Sequence, residues 1–476
     1  MLSFENLARI ELEATMQSGL ITMPDPDKRA IVIGASMGGL LAARALADYY
    51  GEVTLVERDA LPDGYEPRKG VPQGRHVHGL LARGREVLEQ LFPGFTEEMV
   101  AQGATSGDIV DKVLWFNHGF YLCNAPSKLL GLAISRLMLE GSVRRRLLQL
   151  PNVRFRERCA VLEPTFDRAQ GRVTGVRVQF QGGSGGAQMM NADLVVDAGG
   201  RGSSSPAWLD ALGYPKPREE LIKINVGYAT RQYRRLPEHL RGMHGAIIAA
   251  CPPDWRFGVI LSQEGDRWIV SLGGYLGDHA PTDDNGFVDF ARSLQKPEIF
   301  EVVRDAEPLC PLMPYRFSAS LRRHYEELSR LPAGFLVFGD ALCSFNPIYG
   351  QGMTVTCVES LALRECLAAG TQEIAERFFR AASKLIDIPW QIAVGSDLQH
   401  PSVEGKRTTQ VRFVNWYIAK LYRAAQDDAV LASRFLEVAN LMRQPAALLY
   451  PQIAFRVWKR NLAPARAVTI PRRRTT

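Results

Sequence analysis

The sequence predicts an α/β protein, α+β overall, in which a Rossmann-like domain carries an inserted antiparallel sheet and precedes a C-terminal helical region. Three observations predict it. Residues 30–59 read as strand, helix and strand around a glycine-rich turn. Residues 216–325 read as short antiparallel strands between turn signals, and roughly the last ninety residues have helical periodicity. A chain of 476 residues has room for two or three domains.

The composition indicates an ordinary globular protein. The net charge is +6, and no basic stripe carries interleaved aromatic residues, which disfavours nucleic-acid binding. The seven cysteines are scattered without a Cys-x-x-Cys pair, so we expect reduced thiols and a cytoplasmic location rather than disulfides or a zinc site. No apolar run reaches the roughly 18 residues of a membrane span. The acidic N-terminus predicts a short helix and a linker rather than a secretory signal, and Met23 is an alternative start.

The first chemical signal is a glycine-rich turn between the strand "RAIVIGAS" and the helix "GGLLAARALADYY". It reads Gly34-x-Ser36-x-x-Gly39, where a dinucleotide fingerprint has three glycines. Gly34 permits the tight turn, Ser36 is small enough for a pyrophosphate to approach, and Gly39 lets the helix pack on the strand. Glu57 ends the strand "GEVTLVERD" at the spacing of an acid that binds ribose. The pattern predicts a bound nicotinamide or flavin dinucleotide, with a plain glycine-rich turn as the alternative.

The next elements alternate between the two predicted sheets. We expect an amphipathic helix at "GLLARGREVLEQLF", strands of the inserted domain at "DIVDKVLWFNHGFYLC", and a long amphipathic helix at "AISRLMLEGSVRRRLLQL". The segments "VRFRERCAVLEPTF" and "GRVTGVRVQF" read as a meander that ends in the turn "QGGSGGAQ". Another buried strand follows at "ADLVVDAGG".

A second glycine-rich turn lies about 300 residues after the first, in "FGDALCSFNPIYGQGM". Asp340 ends a buried strand, where a carboxylate needs a partner, and the hydroxyls of a flavin ribityl chain would supply one. Gly350 and Gly352 then open a helix whose N-terminus would stabilise negative charge on a reduced flavin ring. A plain turn before a core helix is the alternative, but this order of strand, turn and helix favours a flavin site.

Seven segments between residue 30 and about residue 365 carry a family resemblance: "GASMGGLLAARALA", "VERD", "RKGVPQGRHVHGLLARGREVLEQLFPG", "SRLMLEGSVRRRL", "DLVVDAGGRGS", "RRHYEEL" and "GDALCSFNPIYGQGM". With these segments the chain resembles flavin-dependent monooxygenases of the p-hydroxybenzoate hydroxylase fold, and most closely the FAD-dependent epoxidases of bacterial polyether and polyketide biosynthesis. The resemblance implies seven regions: an extension (1–27), an FAD-binding domain in three parts (28–107, 131–215, 326–385), substrate-domain strands (108–130), a substrate-binding sheet domain (216–325) and a C-terminal helical region (386–476).

The resemblance also implies the cofactor contacts. The first glycine turn would hold the FAD pyrophosphate, Asp340 the ribityl region, and the run from Pro347 to Met353 the isoalloxazine. A loop from Arg68 to His76 would fold over the cofactor. The two histidines of "RKGVPQGRHVH" have no third ligand nearby, so no metal site is expected. The implied FAD contacts are Gly34, Ser36, Gly39, Glu57, Arg58, Arg68, Gln73, His76, Arg136, Gly339, Asp340, Pro347, Gly350, Gly352 and Met353.

The electron source is open at this point. Single-component aromatic hydroxylases of this fold carry Asp-Gly-x-x-Ser-x-x-Arg after the "LVVDAGG" strand, whereas this chain reads Asp197-Ala198-Gly199-Gly200-Arg201-Gly202-Ser203. We therefore expect NAD(P)H to act directly or through a separate flavin reductase. The Trp-x-Trp-x-Ile-Pro signature of tryptophan halogenases and the Pro-x-x-Tyr-x-Trp-x-Phe-Pro signature of geranylgeranyl reductases are both absent, which disfavours these activities.

The resemblance implies an FAD-dependent monooxygenase that inserts one oxygen atom from O2 through a flavin C4a-hydroperoxide. Epoxidation of an alkene in an apolar polyketide or terpenoid intermediate is favoured because it needs no general base, so no catalytic acid or base is expected. The alternatives are hydroxylation of an aromatic substrate, or a prenyl-chain flavin reductase or dehydrogenase without oxygen insertion. The candidate substrate residues, each equally interpretable as core, are Tyr228, Phe257, Trp268, Tyr315 and Phe345.

Two C-terminal segments, "FVNWYIAKLYR" and "ALLYPQIAFRVWKR", mix aromatic and basic residues. Such segments either lie in a membrane interface or pack against the FAD domain, and packing is favoured. The expected partners are an apolar small molecule and a flavin reductase, with no nucleic acid.

Overall fold

The computed structural model of the protein describes residues 24–182 and 186–462. The expected helix before residue 24, part of the "QGGSGGAQ" turn and the basic tail after residue 462 lie outside the described residues. Within them the chain is a mixed α/β protein, as the sequence predicts, with a parallel sheet and a larger, mostly antiparallel sheet.

The strands of the described residues are, in chain order, β1 (Asp25–Ile33), β2 (Tyr50–Val56), β3 (Thr105–Asp108), β4 (Val113–Asn117), β5 (Phe120–Tyr121), β6 (Leu130–Ala133), β7 (Val153–Arg156), β8 (Cys159–Asp167), β9 (Arg172–Phe180), β10 (Gln188–Asn191), β11 (Leu194–Asp197), β12 (Arg218–Arg234), β13 (Gly245–Ile248), β14 (Arg256–Gln263), β15 (Arg267–Gly274), β16 (Met313–His324), β17 (Phe335–Val337) and β18 (Cys343–Ser344).

The α-helices of the same residues are α1 (Met37–Ala47), α2 (Ala82–Leu91), α3 (Phe95–Ala101), α4 (Ile109–Lys112), α5 (Arg136–Leu148), α6 (Ser205–Ala211), α7 (Asp284–Arg292), α8 (Glu298–Val303), α9 (Gly352–Ala368), α10 (Ile374–Asp397), α11 (Thr409–Ala425), α12 (Ala429–Ala439) and α13 (Pro451–Leu462).

The parallel sheet has the strand order β17-β11-β1-β2-β7. Its central strands are short, rich in Val, Ile and Leu, and buried, as expected for a sheet covered on both faces. The expectation that "VRFR" begins a meander is wrong, because β7 pairs in parallel with β2, and the antiparallel sheet of β8, β9 and β10 starts only at Cys159. Sequence alternation alone does not distinguish an edge strand of one sheet from the first strand of the next.

Two helices that carry the glycine turns pack against each other on this sheet. α1 contacts β1, β2, α5 and α9, and α9 also contacts α2 and α10. α1 is buried along most of its length, because its small side chains allow close packing. The predicted long helix is present as α5, and it is buried along most of its length, including the charged residues Arg136, Glu140 and Arg144.

The second sheet has the order β18-β16-β12-β15-β14-β13-β4-β5. Its neighbours are antiparallel except β13 and β4, and β4 and β5 join it from the earlier segment, as predicted. Short helices α7 and α8, which the sequence did not predict, cover one face and form a separate apolar core there. The other face turns toward the first sheet, and its buried side chains belong to the main core.

The described residues end in the helices α10 to α13, as the helical periodicity predicts. α11, α12 and α13 share a small core with Val110, Leu122 and Leu129 from the inserted segment. No helix among residues 24–182 and 186–462 is both long enough and apolar enough to cross a bilayer. No disulfide joins the cysteines, all of which lie in this part of the chain.

We expect Gly39→Ala to disrupt the first turn. A β-carbon on Gly39 would lie 2.8 Å from the carbonyl carbon of Gly34 and closer still to its oxygen, so α1 would have to move away from β1. The free energy of unfolding should fall by about 3 kcal/mol in urea denaturation. The matched control is Gly38→Ala, whose β-carbon would meet only side-chain methyl groups, at 3.8 and 4.0 Å. Equal stability of the two variants would contradict this account.

Candidate functional site

The two glycine-rich turns meet at the carboxyl edge of the parallel sheet. Gly34, directly after β1, has a φ of +92°, and a β-carbon there would lie 2.9 Å from the carbonyl oxygen of Ala198, after β11. A β-carbon on Gly339, after β17, would lie 3.8 Å from the Cα of Gly38. Three adjacent strands therefore end at one point, where turns separated by about 300 residues are in contact, and a ligand site is expected at such an edge.

Two helices begin at this point without a side-chain cap. Neither Ser36, before α1, nor Gln351, before α9, accepts a capping hydrogen bond, and the first turn of each helix has no acidic residue. The free N–H groups and the positive end of each helix dipole are thus available to an anionic ligand. The Oε1 atom of Gln351 is buried and has no hydrogen-bond partner in the described part of the chain.

Asp340 lies between these helix ends. Its carboxylate makes no hydrogen bond or ion pair with any described residue, and a β-carbon on Gly352 would lie 3.7 Å from its Oδ1 atom. Solvent reaches the side chain, yet the protein around it is close enough that burial raises the pKa of Asp340, against the opposing effect of Arg136 and Arg201. We call this recess between the two helix ends, which holds Asp340, the crevice.

Glu359, on α9, holds the backbone before Asp340. Its Oε2 atom accepts a hydrogen bond of 2.9 Å from the N–H of Gly339. Burial raises the pKa of Glu359 to about 8, and the nearby Asp340 adds to this shift. The sequence analysis missed Glu359, because an acid seven residues into an apolar helix carries no local signal of what it faces.

One side of the crevice is a buried cluster of charges around Arg136. The guanidinium donates to Ser36 Oγ at 3.0 Å and to Glu140 Oε2 at 3.2 Å, and Ser36 Oγ donates to the same carboxylate. Burial alone would raise the pKa of Glu140, but Arg136 and Arg68 hold it below its usual value. Arg136 and Ser36, both predicted cofactor contacts, are therefore joined through Glu140, which the sequence analysis missed.

Arg68 continues this cluster toward Glu57. It contacts Glu57 Oε2 at 2.9 Å and Glu140 Oε1 at 3.1 Å. Glu57 also accepts from the N–H of Ala35 and of Asp59, so the predicted ribose-binding acid is fixed against the first glycine turn. Arg58, predicted to lie by the adenine, is exposed.

The segment from Arg68 to Gly79, which contains the predicted covering loop, has two histidines in different surroundings. His76 is buried against the second sheet, where its Nδ1 lies 2.8 Å from Thr230 Oγ1 and its ring contacts Tyr228 and Tyr315. Burial lowers the pKa of His76 to about 4. His78 faces the Arg136 side, where burial and then that arginine lower its pKa to about 3.

The far end of the loop lies against the second glycine turn. A β-carbon on Gly350 would lie 3.7 Å from the carbonyl oxygen of Gly79, and Gly350 itself has a φ of +65°. Pro347 is exposed, Met353 is buried in the first turn of α9, and Gln73 is half-buried. The turn from Pro347 to Met353 thus lies beside Gly79, three residues after the predicted covering loop ends at His76.

Arg201 is the most unusual group that the sequence analysis did not assign. Its Nη1 atom is buried and has no hydrogen-bond partner among the described residues, and its guanidinium stacks 4.9 Å from the ring centroid of Phe317. Burial and the neighbouring Arg323 lower the pKa of Arg201, whereas Tyr315 and Asp340 act in the opposite direction. Arg201 is therefore a cation with an unpaired donor nitrogen, and it lies near Asp340, an anion that no described residue pairs with.

Three predicted substrate residues come together on the sheet face that points to the crevice. The ring centroids of Tyr228 and Tyr315 are 5.3 Å apart, and Phe257 lies 6.4 Å from Tyr228. A cavity of about 390 Å³ opens beside the two tyrosines. Its lining is Asn225, Gly227, Tyr228, Gly277, His279, Ala280, Pro281, Thr282, Pro314, Tyr315 and Arg316.

Two other predicted substrate residues lie elsewhere. Phe345 is buried in the main core, 6.3 Å from Trp390. Trp268 is fully buried in the second core under α7 and α8, with its Nε1 donating to His239. Its proposed place in the substrate pocket is wrong, because successive residues of a strand point to opposite faces and Trp268 lies on the far face of β15.

A buried carboxylate adjoins the second glycine turn. Asp397, at the end of α10, is fully buried, and its Oδ1 accepts hydrogen bonds of 2.8 Å from Tyr275, Tyr349 and Asn346. Its Oδ2 has no partner in the described part of the chain. Burial raises the pKa of Asp397 to about 6. The cluster ties α10 and the end of β15 to the "NPIYG" turn.

The fold and the crevice define the class of protein. The chain has the fold of FAD-dependent monooxygenases and their relatives. It resembles the flavin-dependent brominase Bmp2 (TM-score 0.63, 15% identity, 91% of this chain and 99% of that chain). It also resembles p-nitrophenol 4-monooxygenase PnpA of Pseudomonas putida (TM-score 0.62, 15% identity, 87% of this chain and 99% of that chain). A third similar structure is a flavoprotein/dehydrogenase of Cytophaga hutchinsonii (TM-score 0.64, 14% identity, 91% of this chain and 98% of that chain). At these identities the likeness shows the fold alone.

A closer relative gives the family. The chain is 34% identical over 432 residues to Protein Rv3254 of Mycobacterium tuberculosis, covering 88% of this chain and 90% of that protein. The chain belongs to the family of Protein Rv3254. No family model matches the sequence.

We expect Asp397→Asn to change how stability depends on pH. The folded protein binds the Asp397 proton up to about pH 6, whereas the unfolded carboxyl has a pKa of 3.8. The stability that this proton contributes is therefore present below about pH 4 and is lost as pH rises to 6. The side chain of the variant carries no charge at any pH. Between pH 4 and pH 6 its free energy of unfolding in urea should therefore rise by roughly 3 kcal/mol relative to that of the wild type.

The control for this experiment is Asp427→Asn, because Asp427 is exposed. Its unfolding free energy should follow that of the wild type at every pH. Parallel curves for the wild type and Asp397→Asn would show that burial of this carboxylate has no energetic consequence.

Proposed function

We propose that the protein is an FAD-dependent monooxygenase. The observation that carries the proposal is Asp340, a carboxylate that no described residue pairs with. It lies between two uncapped helix ends, where the two glycine turns meet. The residues present fit FAD. The N–H groups at the first turn would bind the pyrophosphate. Asp340 would accept hydrogen bonds from the ribityl hydroxyls, and the unpaired Nη1 of Arg201 would donate one to the cofactor.

At the adenosine end, Glu57 would hold the ribose. Among residues 24–182 and 186–462, its Oε1 atom accepts one hydrogen bond, from the N–H of Asp59, and so keeps capacity for a hydroxyl. The loop from Arg68 to Gly79 would cover the cofactor, and the turn from Pro347 to Met353 would lie along the isoalloxazine. When bound and reduced, FAD supplies the activation of O2. The chain's own task is to place the substrate and keep water away.

The proposed reaction is epoxidation of an alkene in an apolar polyketide or terpenoid intermediate. The cavity beside Tyr228 and Tyr315 has no acidic residue in its lining, and burial raises the pKa of both tyrosines, which keeps them protonated. His76 is neutral at ordinary pH and bonded to Thr230. His279 is the one histidine in this lining, and its Nε2 is bonded to the carbonyl oxygen of Asn225 at 2.9 Å. The lining holds no carboxylate that could remove a phenolic proton, which supports an alkene over a phenol.

The proposed electron source is NAD(P)H acting through a separate flavin reductase. Asp197, in the position of the family's Asp-Gly motif, accepts from the N–H of Gly199 and from the hydroxyls of Ser203 and Ser205. It is therefore occupied in holding its own turn. The arginine that follows in single-component enzymes is absent from this sequence.

Asp340→Ala should weaken FAD binding by about tenfold or more, because the variant loses an acceptor for the ribityl hydroxyls. Quenching of flavin fluorescence on titration with the protein measures the affinity. Since Asp340 is solvent-exposed and unpartnered, circular dichroism of the variant should match the wild type. Asp427→Ala, at an exposed site in the C-terminal region, is the control. Unchanged FAD affinity in Asp340→Ala would remove the basis for this cofactor site.

Labelled dioxygen tests the reaction itself. Protein supplied with reduced FAD and a panel of apolar polyenes under ¹⁸O₂ should give a product that gains one labelled oxygen atom, detected by mass spectrometry. Product that forms anaerobically and carries no label would identify a prenyl-chain reductase or dehydrogenase instead. Label in an aromatic substrate only would identify a hydroxylase.

A further inference from the structure

The helices α11 and α13 expose an unusual amount of apolar surface. Of the sixteen large apolar side chains that are exposed in the described part of the chain, nine lie between residues 413 and 462. Trp416 is 56% exposed and Trp458 is 58% exposed. We define the C-terminal aromatic surface as the exposed side chains Phe413, Trp416, Tyr450, Phe455, Trp458 and Leu462.

These side chains are not needed for packing within the chain. α11 buries Tyr417, Leu421 and Tyr422 on its inner side, and α13 buries Ile453 and Val457. The exposed residues of α13, Phe455, Trp458 and Leu462, follow each other by three and four positions and so lie on one outer face. The two helices touch, and Asn461 donates to the carbonyl oxygen of Lys420 at 2.9 Å. Both helices therefore have a satisfied inner face and an aromatic outer one.

The charge of these helices selects one kind of partner. Between them, α11 and α13 carry six basic residues and no acidic residue. Arg412 and Lys459 are exposed and make no ion pair with any described residue. The sequence that follows α13, residues 463–476, adds four arginines and again no acid. Aromatic rings beside long basic side chains, without acids, are the composition of helices that lie at the interface of an anionic membrane.

We propose that the C-terminal aromatic surface docks on an anionic lipid bilayer. The rings would enter the headgroup region and the basic side chains would contact lipid phosphates, while neither helix crosses the membrane. A symmetric contact between two copies would place one cationic face against another, so self-association does not fit the charge. The proposal goes beyond the proposed reaction and does not depend on it.

Vesicle flotation of the full-length protein tests the proposal. The protein should float with phosphatidylcholine vesicles that contain phosphatidylglycerol, and should remain unbound with phosphatidylcholine alone. Rising salt should release it, because the lipid phosphates attract the basic side chains electrostatically. Absence of flotation with the anionic vesicles at low salt would overturn the proposal.

Variants locate the contact. Trp416→Ser/Trp458→Ser should lower the affinity for anionic vesicles by about tenfold or more, and Arg412→Gln/Lys459→Gln should lower both affinity and salt sensitivity. The control pair is Met189→Ser/Leu221→Ser. These two side chains are exposed to a similar degree, but they lie on the strands β10 and β12 and not on α11 or α13. All variants should keep the wild-type circular dichroism. Equal flotation of the tryptophan pair and the control pair, or a dimer that the tryptophan substitutions dissociate, would overturn the proposal.

Discussion

The close packing of α1 on β1 is the constraint on which the site depends. No side chain separates the start of this helix from the strand, because Gly39 lies directly on the Gly34 carbonyl. This contact aims the uncapped end of α1 at the edge of the sheet and brings Gly38 against Gly339. If the helix stood further out, the two glycine turns would separate and Asp340 would face open solvent. The geometry of the crevice is thus determined by the absence of β-carbons.

The two ends of the crevice differ in how their charges are balanced. At the end near Glu57, each charged group is paired: Arg68 bridges Glu57 and Glu140, and Arg136 holds Glu140 and Ser36. At the other end, Asp340 and the buried nitrogen of Arg201 have no protein partner in the described part of the chain. A buried donor without a partner costs free energy, which a ligand that accepts its hydrogen bond would recover. The crevice is therefore preorganised by ion pairs at the Glu57 end, whereas the charged groups at the Asp340 end are left to pair with a ligand.

The sequence predicted the parts of this arrangement that depend on local pattern. The first βαβ unit, both glycine turns and the buried strand before Asp340 follow from short, strongly patterned segments. Contacts between distant segments left no such signal. Glu140, Arg201 and Asp397 became visible only in three dimensions, because most of their partners lie more than 50 residues away in the chain. Trp268 was misplaced for a related reason: the sequence of a strand gives its alternation but does not say which face meets which core.

The C-terminal helices belong to the site as well as to the surface. Asn440, after α12, accepts from the N–H of Ala82 and receives the N–H of Arg83 on its carbonyl, and so fixes the start of α2 where the loop from Arg68 to Gly79 ends. Asp397 ties α10 to the turn that carries Gly350. The C-terminal helices are therefore connected to both walls of the crevice through packed helices and buried hydrogen bonds, so a change in their packing should alter the site.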